Sequence, residues 1–244
     1  MSAAFQHTAL ASMWAQAARP AWGAVLRVLY PPRCLGCGAS LPEEARPLCH
    51  RCLPRLERPE AARLNALLAH LPEANAVFDG VFALWLFDAE GVVQRVQHVL
   101  KYGNRPHVGT ALGQLMGTAY QAGGGAPPDL VLPIPLHRAR FYERGYNQSA
   151  MLARGLGRAL DAPVSEAVLV RRRATRSQTN LSRRSRWDNV AGAFDLVTPE
   201  AVAGRRVLLI DDVMTTGATL AAAAAVLQQA GAAAIVAATL ALAR

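Results

Sequence analysis

The sequence predicts an α/β domain on a mostly parallel sheet, carried behind a small four-cysteine module. Two observations predict it. In the second half of the chain, apolar runs of strand length alternate with stretches of helical spacing. Near the start, all four cysteines fall within 19 residues, at Cys34, Cys37, Cys49 and Cys52. The chain has 244 residues, 52% of them apolar, enough for a sizeable core without disulfides.

The elements follow in order. Leu10, Met13, Trp14 and Ala17, then Trp22, Val25, Leu26 and Leu29, recur at helical spacing and predict two short amphipathic helices in a segment 1–30. Arg19, Pro20 and Arg27 break this segment, so it is not read as a membrane span. It lacks the basic start and cleavage site of a secretory signal, and a cytoplasmic location is expected. Tyr30-Pro31-Pro32 ends it and opens the cysteine module, 31–59. A third region, 60–244, begins with a helix over 60–70, a strand over 77–87 and helices over 92–100 and 106–121. The glycine- and proline-rich stretch 123–128 is a loop. Strands are then expected at 130–134, 167–170, 207–210 and 234–240, with helices at 149–160 and 219–229. Gly231 stands where a helix C-terminal glycine belongs.

The cysteine spacing is two residues, then eleven, then two. Each pair can grip one ion from a tight turn, and two pairs complete a tetrahedral thiolate site for zinc. Gly36 and Gly38 give the first turn its backbone freedom. A redox pair is the alternative. A site closed by four thiolates leaves no open position for water and is structural; His50 is a bystander beside it.

There are 26 basic and 17 acidic residues, a net charge of +9. Such a surface attracts phosphorylated metabolites, nucleic acid or anionic lipid. A general bias towards arginine explains the total equally well, though not its clustering. The single lysine, Lys101, hints at a site that needs a compact ammonium.

Residues 207–220 read Val-Leu-Leu-Ile-Asp-Asp-Val-Met-Thr-Thr-Gly-Ala-Thr-Leu. Four buried-type strand residues deliver two carboxylates to a strand end, and a hydroxyl-rich loop then enters a helix. The loop can turn backbone N–H groups and the hydroxyls of Thr215, Thr216 and Thr219 to one point, where the helix N-terminus favours a phosphate. Gly217 allows close backbone approach. Asp211 and Asp212 can accept from vicinal hydroxyls about one ribose away. This segment resembles the signature of the type I phosphoribosyltransferases. It lacks the Gly-Lys-Ser/Thr ending of a Walker loop.

By that resemblance the domain has the type I phosphoribosyltransferase fold and binds 5-phosphoribosyl-1-pyrophosphate. Asp211 and Asp212 would contact the ribose hydroxyls, and the loop carrying Val213, Thr215, Thr216, Gly217, Ala218 and Thr219 would hold the 5′-phosphate. The reaction implied is displacement of pyrophosphate at C1, with magnesium bound alongside the substrate.

Three further stretches sharpen the resemblance: Gln97-His98-Val99-Leu100-Lys101-Tyr102-Gly103-Asn104-Arg105; Pro133-Ile134-Pro135-Leu136-His137 with Glu143-Arg144-Gly145-Tyr146-Asn147-Gln148; and the segment from Arg171 to Phe194. Together with the cysteines they resemble the ComF family of competence-associated proteins, across residues 31–240. The loop after the 130–134 strand would bind pyrophosphate. Its cationic candidates are Arg138, Arg140 and Arg144, with Arg144-Gly145 foremost and Arg144 a catalytic candidate. His137 is its acid–base candidate; His98 and His107 fit packing or surface roles.

Between Arg171 and Trp187 there are seven arginines and no acids, Arg176 and Arg183 among them. Three readings stand: a lid over pyrophosphate, a groove for single-stranded DNA using Trp187 and Phe194 as platforms, or a solvated basic loop. The family resemblance implies a role in DNA uptake, beside single-stranded DNA and a competence helicase. Two functions are therefore expected in competition. One is a phosphoribosyltransferase whose acceptor no residue reveals, or a hydrolase of the same donor. The other is a non-catalytic module that senses ribose phosphate and binds single-stranded DNA.

Overall fold

The computed structural model describes residues 31–42, 47–60, 64, 77–173, 190 and 192–243. The expected helices over 1–30, nearly all of the helix over 60–70, and Arg176, Arg183 and Trp187 lie outside them.

Four strands form one parallel sheet in the order β1 (Gly80–Leu86), β6 (Ala234–Leu242), β5 (Arg206–Met214), β2 (Leu130–Pro133). A small antiparallel pair, β3 (Leu169–Arg171) and β4 (Phe194–Leu196), stands apart. Among the described residues the α-helices are α1 (Val92–Tyr102), α2 (Pro106–Ala122), α3 (Arg138–Arg144), α4 (Gln148–Leu160) and α5 (Ala218–Gln229).

Strand period decides the layers. Val207 and Leu209 of β5 pack into one core with Leu220, Ala224 and Leu227 of α5 and with Leu169 and Phe194 of the small pair. Leu208 and Ile210 point the other way, into a core shared with α1, α2 and α4. Because both faces of β5 are covered, its sequence is a continuous apolar run rather than an alternation. Cys34, Leu41, Leu48, Cys52 and Leu56 belong to that second core, so the cysteine module packs against α1 instead of standing free.

Helices α2 and α4 touch backbone to backbone. A methyl group at Gly113 would lie 2.0 Å from the Leu152 carbonyl oxygen, and one at Gly155 would lie 2.0 Å from that of Thr110. This closeness sets where α4 begins, and α4 begins at the acid pair.

The structure differs from expectation at two places near the site. The stretch 136–147, expected as a loop, contains α3. Residues 138–144 hold neither glycine nor proline; His137 caps one end through its Nδ1, and Gly145, at φ 77°, closes the other. Strand β5 also continues past residue 210 to Met214, because Asp211, Val213 and Met214 keep their register with β6.

Candidate functional site

The site is assembled where β5 meets the first turns of α4 and α5 and the last turns of α1. Asp212 shares a strand face with Leu208 and Ile210, so its carboxylate turns towards α1. There Lys101 Nζ lies 2.7 Å from Asp212 Oδ2, and Gln97 Nε2 donates to the same oxygen at 3.4 Å. Asp211 is only partly covered. Its Oδ1 accepts from Ser149 Oγ at 2.9 Å and from the Asp212 amide at 2.8 Å. Ser149 is itself buried in the first turn of α4, where the Asn147 side chain caps the helix by accepting from its amide.

The two carboxyls diverge. Burial, with the charge of Asp212 next to it, pushes Asp211 up to about 7. Burial works on Asp212 as well, but the Lys101 ammonium and the bonds from Lys101 and Gln97 outweigh it and hold that carboxyl below its ordinary range. The pair therefore presents one firmly ionised acid and one poised near neutrality, a combination suited to accepting hydrogen bonds from neighbouring hydroxyls.

The loop after β5 ends at Gly217, which adopts φ 73° as the N-cap of α5. The Thr216 hydroxyl is shielded from water and has no hydrogen-bond partner among the described residues. A buried hydroxyl without a partner is costly. At a helix N-terminus, beside a left-handed glycine, it fits a ligand oxygen such as that of a phosphate.

Of the predicted cationic residues, Lys101 joins the acids directly. Arg144 lies over the Tyr102 ring at 5.7 Å and donates to Gln148 Oε1 at 3.0 Å, which places it against the end of α1; its Nε is buried without a partner among the described residues. Arg140 is paired with Glu143 at 2.7 Å on the surface, and Arg138 is exposed at the start of α3. His137 accepts from the Ala139 amide at 3.3 Å through Nδ1, which fixes its ring at the start of α3. His98 packs on Tyr102.

Sequence reasoning missed Ser149 and Gln97 as acid partners. It also took Arg171 only as the first of a basic run. Burial works to lower the Arg171 guanidinium below its ordinary value while Asp211 counteracts it, and its Cζ lies 5.3 Å from the Phe194 ring centroid.

The four cysteine sulfurs all lie within 4.8 Å of one another, with Cys37 and Cys49 3.7 Å apart. Tetrahedral zinc with bonds of about 2.3 Å places its sulfurs about 3.8 Å apart, so the set fits that ion. The amides of Gly36 and Cys49 both donate to Cys34 Sγ at 3.3 Å. Burial works to raise the Cys34 thiol, but the amides of Cys37, Cys49 and Gly36 bring it down to about 6; burial and the other three thiols push Cys52 up to about 12. Four thiolates at this separation need a cation among them.

Comparison with known proteins agrees with both halves. Residues 147–244 match the phosphoribosyl transferase domain, and residues 25–63 match the double zinc ribbon domain. The DNA utilization protein YhgH of Escherichia coli O157:H7 is 35% identical over 119 residues, 47% of this chain and 52% of that protein. Competence protein F of Haemophilus influenzae is 38% identical over 86 residues, 35% of this chain and 38% of its own. Together these matches support a ComF-family protein. Its fold is that of the phosphoribosyltransferases, with a structural zinc module ahead of the sheet. The chain spans about half the length of the curated YhgH relatives it matches. A solved chain described as the allosteric regulatory enzyme of purine biosynthesis superposes over 58% of this chain and 29% of its own, at 23% identity and a TM-score of 0.40, too distant to argue from. Among the described residues no helix is long and apolar enough to cross a membrane.

Proposed function

We propose that the chain binds 5-phosphoribosyl-1-pyrophosphate, or a close ribose 5-phosphate relative, at residues 211–219. The observation that carries this reading is the pairing of a fixed vicinal acid pair with the unpartnered Thr216 hydroxyl one loop away. Asp211 and Asp212 accept from the ribose 2′- and 3′-hydroxyls; the hydroxyls and N–H groups of 215–219 hold the 5′-phosphate. Lys101 beside Asp212 and Arg144 over Tyr102 are the cations that would meet pyrophosphate. Magnesium suits the site because it binds substrate oxygens while keeping its own waters, and it would neutralise pyrophosphate when bound.

The chemistry such binding allows is transfer of the phosphoribosyl group from pyrophosphate to a nitrogen acceptor: the bond from C1 to the pyrophosphate oxygen breaks, pyrophosphate leaves, and a C1–N bond forms through an oxocarbenium-like transition state. In it the ionised Asp212 offsets charge developing on the sugar.

A second reading, a ribose-phosphate sensor that also binds single-stranded DNA during DNA uptake, is favoured by a different observation. Tyr102, Phe141 and Tyr142 are exposed large hydrophobics, and Arg144 lies over Tyr102. Aromatic faces beside arginine suit stacked bases.

Calorimetric titration with 5-phosphoribosyl-1-pyrophosphate and magnesium tests the binding site. Binding by the wild type, and its loss in the Asp211→Asn, Asp212→Asn double variant, is the expected result; equal affinity in both would refute it. Pyrophosphate release on adding candidate bases or single-stranded DNA then separates transferase from sensor.

A further inference from the structure

Helix α1 touches the cysteine module at one end and the acid pair at the other. At its start the Asp88 carboxylate accepts from the amides of Val92, Val93 and Gln94, which pins the first turn. One turn on, the Arg95 guanidinium donates to the Gly36 carbonyl at 3.1 Å through Nη2 and to the Leu35 carbonyl at 3.4 Å through Nε. Leu35 and Gly36 are the two residues between Cys34 and Cys37. Arg95 therefore holds the turn from which the first cysteine pair reaches the metal. A methyl group at Gly36 would lie 2.7 Å from Cys52 Sγ and 3.4 Å from Val92 Cγ1, so this turn sits directly between the thiols and α1. At the far end of the same helix Gln97 and Lys101 reach Asp212, and the Tyr146 hydroxyl donates to the Leu100 carbonyl.

A helix transmits displacement along its axis because every residue is tied to the next turn. Arg95 and Lys101 are six residues apart, about 9 Å of rise. The Lys101–Asp212 contact is short and directional, so a small shift of the rod opens it. Among the described residues the contacts that join the cysteine module to Asp212 run through α1.

We propose that Arg95 is a positioning residue through which the metal-loaded turn of residues 34–37 fixes Lys101 and Gln97 on Asp212, so that loss of metal weakens binding of the ribose portion of the ligand. The inference rests on reading residues 211–219 as a ribose-phosphate site. It assigns the zinc module a part in ligand affinity as well as in folding.

The test titrates two probes, ribose 5-phosphate and inorganic phosphate, without magnesium so that a chelator has one target. Inorganic phosphate reports the 215–219 loop alone, whereas ribose 5-phosphate also needs the acids. In Arg95→Met, with zinc still at one per chain by elemental analysis, ribose 5-phosphate affinity should fall by roughly tenfold, the scale of a hydrogen bond to a charged group. Inorganic phosphate affinity should not change, and Arg95→Lys, which keeps one charged donor, should fall between. Removing zinc from the wild type should reproduce the Arg95→Met pattern, and this arm decides the matter if Arg95→Met does not fold. Unchanged ribose 5-phosphate affinity in zinc-replete Arg95→Met, or after zinc removal, overturns the proposal, as does a parallel loss of both probes. A zinc-loaded wild type that binds phosphate but not ribose 5-phosphate removes the parent reading instead, and the inference with it.

Discussion

Asp211 and Asp212 are adjacent in sequence yet titrate in opposite senses, and that has a consequence for the ligand-free protein. The Asp211 carboxyl sits at about 7 in the fold against about 3.9 in an unfolded chain. A raised carboxyl binds its proton longer in the native state, so its contribution to stability is complete below about pH 4 and is lost as pH rises through 7. Asp212, held low by Lys101, contributes in the opposite sense, and loses its contribution only as pH falls below the ordinary carboxylate range. Between pH 5 and pH 8 Asp212 adds no change of its own, and the Cys34 thiol, brought down to about 6, contributes alike to the wild type and to an Asp211 variant, so comparing the two isolates Asp211. Asp211→Asn keeps an oxygen for Ser149 and for the Asp212 amide but cannot ionise. Its urea midpoint should change less between pH 5 and pH 8 than that of the wild type; identical pH profiles would contradict the assignment. Lys101→Met removes the cation from a largely buried carboxylate. Stripping one partner from a buried pair costs about 3–5 kcal/mol, and Lys101 is 22% exposed, so a loss at or below the lower end is expected in denaturant unfolding. Lys101→Arg should restore only part of it, since a planar fork replaces a point charge in a space set by Gln97 and Asp212.

At the scale of elements, the glycine contact between α2 and α4 does more than pack. Gly113→Ala would press a methyl group into the Leu152 carbonyl, and backbone cannot swing aside as a side chain can. Overpacking of this kind costs about 1–3 kcal/mol, read as a fall of several degrees in the melting temperature. Because α4 begins one residue before Ser149, the same change should also lower ribose 5-phosphate affinity, by loosening the Ser149–Asp211 bond. A variant that melts lower but binds unchanged would confine the effect to packing. The elements themselves were legible where one period dominates: the apolar run at 207–210 and the helical spacing at 92–100 reappear in β5 and α1. Helix α3 was not, because its arginines and tyrosine show no apolar face and its caps, His137 and Gly145, lie beyond any periodic signal. Of the candidate site, the consecutive aspartates and threonines were legible because they fall together on one strand, one loop and the start of one helix. Ser149, Gln97 and Arg95 were not, since their partners lie 62, 115 and about 60 residues away and only the closed sheet brings them together. Lys101 was an intermediate case, marked by its singularity but not by its partner.

At the scale of the whole molecule the charge of +9 is the dominant long-range property. If the basic surface meets single-stranded DNA, affinity should fall with salt at a log–log slope of roughly −0.7 per phosphate neutralised. It should do so alike for different sequences, because phosphate contacts carry no base information. Nitrocellulose retention of labelled oligonucleotides from low to high salt measures this, and a salt-independent signal would exclude the electrostatic mode. The order of the sheet bears on how the chain comes into being. Among the described residues strand β1 has a single neighbour in the sheet, β6, and the Asp79 carboxylate just before it accepts from the Ile235 amide, 156 residues further on. A ribosome adds about 5–20 residues each second, so Leu84 and Trp85, both buried in the finished fold, wait roughly 8–30 seconds for the strand that pairs beside them. The newborn chain thus carries an apolar strand beside a cysteine cluster before its partner strand exists, and the native sheet closes when β6 slots between β1 and β5.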